Sequence, residues 1–262
     1  MRPLDTQTAK YITELLLEDA GAQGALVQVV PENDNELPVQ TEHGGLPLLW
    51  EDGCPVAAVP SSSQLQIKRV VDVTLALAAL LGLAPLLLLV AVLVAATSPG
   101  PILFRQRREG LGGRLFWTLK FRSMPVDRCD KSGLQQTRRN DPRLTPFGAF
   151  IRRTSIDELP QLLNVLRGEM SLVGPRPHVP GMFAGGMPYK DLVPYYDCRL
   201  AVRPGITGWA QANGLRGPTG DAEAARSRIE FDLAYMQNLS VWLDLKILGL
   251  TLRNQFLTGS GH

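Results

Sequence analysis

One stretch of this chain shows no hydrophobic–polar alternation at all. From Val73 to Ala96 it reads VTLALAALLGLAPLLLLVAVLVAA, with no charged residue. As a straight helix this would measure about 36 Å, against a bilayer core of about 30 Å. Pro85 interrupts it near the middle and removes a helix hydrogen bond. Both flanks are basic: Lys68 and Arg69 before, Arg105, Arg107 and Arg108 after. Positive charge marks the cytoplasmic side, so both ends ask for the same face. A re-entrant helix–break–helix over about residues 70–97, with its membrane break at Pro85, meets both demands, each half being about 17 Å long. A spanning helix kinked by the proline meets the length too, and from the residues alone both stay open. The backbone freed at the break needs a partner, for which Thr74 is a candidate.

Elsewhere the periods change. Residues 6–19 predict a short helix, followed by apolar runs such as ALVQVV between polar turns. PSSS, Pro60 to Ser63, reads as a linker. Residues 98–124 read as extended pieces around a Gly-Leu-Gly-Gly turn. TPFGAFIRRT and LPQLLNVLRG read as helices, the second stopped by Gly168. SLVGPRPHVP and RPGITGWAQANG are loops punctuated by Pro and Gly. ARSRIEFDLAYMQN is a helix, and LSVWLDLKILGLTLRNQFL another, apolar enough to lie on a membrane or in a core. No internal repeat is visible.

The net charge of +2 hides an asymmetry. Residues 1–66 hold 2 Lys/Arg against 10 Asp/Glu, and residues 105–216 hold 19 against 9. The middle of the chain therefore expects anions. Cys54, Cys129 and Cys198 are odd in number and form no C-x-x-C pair, which argues against a disulfide framework or zinc site and fits a reducing compartment. The N-terminus lacks a signal-peptide pattern. The domain reading is an acidic extension with linker over residues 1–65 and a membrane-anchored body over residues 66–262.

Candidate chemistry gathers at RRTSIDELPQ, Arg152 to Gln161. Proline is tolerated among the first residues of a helix, so Pro160 predicts a helix start between Asp157 and Leu159. That sets Asp157 and Glu158 at a positive helix end beside Arg152 and Arg153. Capping alone explains such a pair in many chains. A capping box from Ser155 would place Pro160 deeper in the helix at the loss of a hydrogen bond, so it is set aside. The functional reading is phosphoryl chemistry. Arginines bind phosphate oxygens, one carboxylate can attack phosphorus, and a second can hold Mg2+. GPRP and VRPG present Arg176 and Arg203 stiffly, as ligands for planar anions require. There is no P-loop, and GLGGRL is a weak glycine motif. His178 has no partner His or Cys nearby in sequence and reads as structural.

The stretches TSPGPILFRQRREG, FWTLKFRSM, DPRLTPFGAFIRRTSIDELPQLLNVLRGEMSLVGPRP, RPGITGWAQANG and LAYMQNLSVWLDLKIL resemble the bacterial sugar transferases. These are monotopic phosphoglycosyl transferases acting on undecaprenyl phosphate. The resemblance covers roughly residues 66–257, and its long central stretch is the most specific. It implies a re-entrant helix broken near Pro85, an Asp157–Glu158 dyad, Mg2+ and a UDP-sugar donor. It places Lys120, Arg152, Arg176 and Arg203 on phosphate-handling positions. Two departures stand out. HVPGMFAGGMP, after GPRP, lacks the Glu many relatives carry, which bears on sugar specificity. Residues 1–65 match neither a minimal member nor the multi-span extension of large ones.

The fold expected is α+β, mainly helical, in a monotopic membrane protein with a re-entrant helix–break–helix and interfacial amphipathic helices. Catalysis is expected from Asp157 and Glu158, which also hold Mg2+. Asp157 attacks the sugar-linked phosphorus of a UDP-hexose, UMP leaves, and undecaprenyl phosphate takes the phosphosugar, opening exopolysaccharide, capsule or O-antigen synthesis. Arginines and the helix end are expected to keep Asp157 ionised. The expected place is the bacterial inner membrane, with the catalytic domain facing the cytoplasm. Expected partners are the bilayer, both substrates, downstream glycosyltransferases and a second copy in a homodimer. Nucleic acid is not an expected partner, because the lack of interleaved stacking aromatics in the basic region disfavours it. The alternative is a non-catalytic membrane adaptor with a basic anion-binding surface.

Overall fold

The computed structural model describes residues 39–51, 53–56, 60–130, 134 and 141–258. The helix expected over residues 6–19 and the ALVQVV run lie outside them. The described chain mixes helices with short strands, as its changing periods predict.

The apolar stretch forms two helices, α1 (Ser62–Gly82) and α2 (Ala84–Thr97), bent by 64°. Among the described residues no single helix is long and apolar enough to cross a membrane. The break falls at Leu83, which caps both helices. Pro85 sits in the first turn of α2, where a missing N–H costs nothing. Leu83 N donates to Ala79 O and Leu87 N to Leu83 O, so the expected help from Thr74 is not needed. The expected linker is instead the helix start: Ser61 and Gln64 form a reciprocal capping box, and α1 begins at Ser62 rather than near residue 70.

Both ends of this pair are fastened to the same body. Lys68, buried in α1, lies 2.6 Å from Asp244, and Asp72 accepts from Ser171 Oγ and Leu172 N. Arg69 donates to the carbonyls of Val165 and Leu166. The basic flank before the apolar stretch is thus spent on internal contacts. At the other end Val90 and Val94 of α2 pack with Phe121 and Ile151, and Arg122 donates to Val94 O and Ser98 O. Between these anchors Leu77, Leu81, Leu88 and Leu89 stand exposed.

The body carries a hairpin, β4 (Leu103–Glu109) with β5 (Leu115–Phe121), in antiparallel register. Two helices follow, α3 (Pro146–Arg153) and α4 (Gln161–Arg167), the latter ended by Gly168 in the left-handed conformation, as expected of that stop. Strand β6 (Ser171–Val173) leads to the hairpin β7 (Phe183–Ala184) and β8 (Met187–Pro188) and the short helix α5 (Tyr189–Leu192). Strand β9 (Gly205–Thr207) pairs in parallel with β6. The backbones touch there: a Cβ on Gly205 would lie 2.1 Å from Gly174 N, so only glycine fits. Helices α6 (Trp209–Ala212), α7 (Ala222–Gln237) and α8 (Val241–Thr258) complete the fold. Helix α8 buries Leu243 and Ile247 while Trp242, Leu245 and Leu252 stay exposed.

Composition does not mark the packing boundary. The expected division at residue 65 falls inside α1. Strands β1 (Val39–His43), β2 (Leu46–Glu51) and β3 (Cys54–Pro55) form a three-stranded sheet. The sheet lies on α7: Gln237 and Asn238 bond the backbone of Leu49, Val56 and Pro47, and Trp209 Nε1 donates to His43 O. Leu48 is fully buried in the main core. Leu48→Ala is therefore expected to cost about 2–5 kcal/mol, read from urea unfolding. Deleting residues 1–59 should destabilise the body, whereas deleting residues 1–38 removes none of these contacts. A truncation at 60 that melts like the full chain would refute this.

Candidate active site

The carboxylate pair is set by an unusual turn. Helix α3 ends in Arg152-Arg153, and Ser155 then takes φ 54°, the only positive φ at a non-glycine among the described residues. Its side chain donates to Gln255 Oε1 at 3.1 Å. A single 3-10 turn, Ile156–Glu158, follows, and α4 is capped only at Pro160. The helix start thus lies one to three residues later than expected, and the dyad sits on the turn before it. Successive side chains of a 3-10 turn diverge by about 120°. Asp157 and Glu158 accordingly face different partners.

Glu158 takes the cations. Its Oε1 lies 2.5 Å from Lys120 Nζ and 2.9 Å from an Arg176 nitrogen. Despite burial, these two charges hold its carboxyl well below the usual range. Among the described residues Asp157 has only Arg152 Nε, at 3.8 Å, and that nitrogen donates to Ser123 Oγ at 3.0 Å. Burial pushes the Asp157 carboxyl up to about 6; Lys120 opposes the shift and the Glu158 charge adds to it. Loss of water thus outweighs the cations that favour the ionised form, yet with the carboxyl at about 6 the group is still mostly carboxylate near neutral pH. This carboxylate is poorly solvated and lightly bonded, the condition of a reactive nucleophile.

The pair opens into a cavity of about 230 Å³ whose lining, among the described residues, holds eight Lys/Arg side chains against four Asp/Glu. Lys120, Arg152 and Arg176 meet there, as expected. Arg203 does not line it: its Nε donates to Gly168 O, and it borders a smaller hollow with Lys68 and Asp72. His178 bonds Tyr196 OH at 2.9 Å and is held neutral mainly by burial, in keeping with a structural role.

The sequence reading missed Arg108, Gln211, Arg216 and Arg228, all in the lining. Arg108 was legible: in the β4–β5 register Phe104 faces Lys120, and Gln106 and Arg108 continue that face at period two. Burial pushes its guanidinium down to about 10, and among the described residues its Nε has no partner. Arg216 and Arg228 carried no such pattern. Arg228 braces the loop before α7 through the carbonyls of Arg216, Gly217 and Pro218.

A profile described as bacterial sugar transferase matches residues 63–258. The chain belongs to the bacterial sugar transferase family. It is 53% identical over 197 residues to an exopolysaccharide production protein, PSS, of Rhizobium leguminosarum bv. phaseoli, covering 75% of this chain and 98% of that one. It is 51% identical over 184 residues to a UDP-glucose:undecaprenyl-phosphate glucose-1-phosphate transferase of Xanthomonas campestris pv. campestris, covering 70% and 37%. A protein of the same name from Escherichia coli strain K12 is 45% identical over 221 residues, covering 84% and 46%. The chain thus spans nearly all of the first relative but less than half of the other two. The third match covers more of the chain than residues 63–258, so it reaches into the N-terminal sheet.

The family's expected Mg2+ can be tested against the donors present. Among the described residues no group of three or more His, Cys, Asp or Glu could cage an ion. Mg2+ usually takes one or two carboxylates and completes its shell with water and substrate phosphate. The lightly bonded Asp157 carboxylate fits that pattern, and Glu158 Oε2 has only a long contact, 3.5 Å from Arg176 Nη1, among the described residues. Glu158 Oε1 is occupied by Lys120 and Arg176.

Proposed function

We propose that this member of the family transfers glucose 1-phosphate from UDP-glucose to undecaprenyl phosphate as an opening step of exopolysaccharide synthesis. The observation that carries this is the lightly bonded Asp157 carboxylate, buried beside a cation-paired Glu158 in a cationic cavity. The relatives' names supply the substrates. An adaptor would display its arginines on an open face; here they surround two carboxylates.

The chemistry follows from the positions. Lys120, Arg152 and Arg176 draw the diphosphate in and neutralise it. An Asp157 oxygen attacks the sugar-linked phosphorus, the bond to the bridging oxygen breaks, and UMP departs with that electron pair. An oxygen of the lipid phosphate then attacks the same phosphorus, and Asp157 leaves as carboxylate. No proton is gained or lost overall. Asp157 and Glu158 would hold Mg2+, which screens diphosphate charge when bound.

The bent pair α1–α2 supports a re-entrant seat in the cytoplasmic leaflet of the inner membrane. Both its ends are tied to one body and its apex is bare and apolar, so the second substrate would arrive beside the body that holds the dyad. The exposed side of α8, with Trp242, would rest at the interface. The test is Mg2+-dependent UMP release from UDP-glucose by the purified full chain before any acceptor is added. No release from any UDP-sugar, by a folded preparation, would refute the reading.

A further inference from the structure

Besides Phe104, Phe121 and Met124, the cavity takes apolar lining from two later loops. Val179, which is buried, and the half-buried Met182 and Leu215 give it an apolar wall, next to Gln211. The wall is built rather than incidental. Met182 N donates to Val179 O at 3.2 Å, and Tyr189 N donates to Met182 O at 2.9 Å, so Met182 is held on both sides at the foot of the β7–β8 hairpin. Thr219 stitches that hairpin to the loop carrying Leu215: its Oγ1 donates to Phe183 O at 2.7 Å, and Gly185 N donates to its carbonyl at 2.9 Å. Gly185 makes the approach possible, at φ +57°, since a Cβ there would lie 2.6 Å from Ala222 Cβ. The two loops therefore present their apolar side chains as one surface.

We infer that this wall reads the sugar of the donor, with Met182 as its specificity-determining residue, and that it favours a plain hexose over a 2-acetamido sugar. The inference rests on the functional reading above. With the diphosphate held by cations at the dyad, the sugar lies one bond beyond the phosphorus that Asp157 attacks. A pyranose shows C–H groups on its faces and hydroxyls on its rim. The faces suit Val179, Met182 and Leu215, and Gln211 lies at the edge where a hydroxyl needs a partner. A 2-acetamido group brings an amide N–H and C=O. Val179, Met182 and Leu215 offer neither a partner, Gln211 being taken by the hydroxyl, and a buried, unpaired amide is costly.

The test compares kcat/KM for UDP-glucose and UDP-N-acetylglucosamine in the full-length wild type, Met182→Gln and Met187→Gln, with UMP inhibition measured in each. Met182→Gln supplies the missing amide partner and should raise the acetamido-to-glucose ratio by about 10-fold or more. Met187→Gln lies on the same hairpin but outside the cavity lining, and should leave the ratio unchanged. UMP inhibition should not move in either. Leu215→Gln, on the other loop, gives a second route to the same readout if Met182→Gln does not fold. A ratio within 2-fold of wild type in the folded variants overturns the inference. So does an equal weakening of both donors and of UMP, which would mean that the wall holds the nucleoside. These outcomes require a wild type that uses UDP-hexoses; a wild type that uses none instead refutes the functional reading.

Discussion

Asp157→Asn is expected to abolish UMP release, by about 10³-fold or more, and to leave the protein as stable as before or more so. The substitution keeps the shape of the side chain and removes the attacking charge. The stability half follows from proton linkage. The Asp157 carboxyl stands at about 6 in the folded protein against 3.8 ordinarily. Between those values the folded state binds more protons than the unfolded one, so Asp157 takes stability away as pH rises towards 6. Above that the ionised carboxylate costs of order 1–3 kcal/mol. Asparagine lacks that cost, so at pH 8 the variant should melt at or above wild type, and the difference should vanish by pH 4. Donor kcat/KM of the wild type should fall tenfold per unit as pH drops below about 6. If Asp157 only completes a turn, asparagine does that equally well and turnover survives. Turnover within 10-fold of wild type, or UMP appearing only once lipid acceptor is added, would remove Asp157 from the nucleophile's place.

What the sequence made legible was local. Asp157, Glu158, Arg152 and Arg176 stood out because proline, glycine and charge spacing mark stiff, cation-rich turns, whereas Lys120 came only from the family resemblance. The same logic misplaced Arg203. VRPG presents its arginine as stiffly as GPRP does, but nothing local says on which side of the β6–β9 pair an arginine emerges. The parallel pairing, with Gly174 against Gly205, sends Arg176 to the cavity and Arg203 to the Gly168 carbonyl. The N-terminal sheet was hidden for a related reason. Its partner is α7, and the bond between Leu49 and Gln237 spans 188 residues. An acidic composition with short apolar runs reads as an appendage until that helix is placed beside it. The turn at Ser155 is the third case: Pro160 limits where a helix starts, but the left-handed serine that delays it leaves no mark in a single sequence.

Glu158→Gln should act in the opposite direction to the change at Asp157, lowering stability as well as turnover. Lys120 and Arg176 both depend on this carboxylate, and Arg108 lies close enough to feel Arg176. A neutral amide leaves these cations facing one another; breaking a fully buried pair from one side costs about 3–5 kcal/mol, and because the Arg176 side chain is 38% exposed solvent reduces this to about 2–3 kcal/mol. The loss should carry a pH signature. Burial already pushes the Lys120 ammonium down, opposed by the attraction of Glu158; without that attraction it falls further. The penalty is therefore full while Lys120 is protonated and shrinks as pH rises and Lys120 sheds its proton. An added anion should have the same effect, so inorganic phosphate or UMP should raise the melting temperature of the variant more than that of wild type. Glu158→Gln with Lys120→Met should regain stability without regaining turnover, because the second change removes a phosphate ligand. A carboxylate that merely complements a helix end predicts a loss of only about 0.5–2 kcal/mol. That loss would not recover at high pH and would not respond to phosphate, and thermal melts of the single variant across pH, with and without phosphate, separate the two.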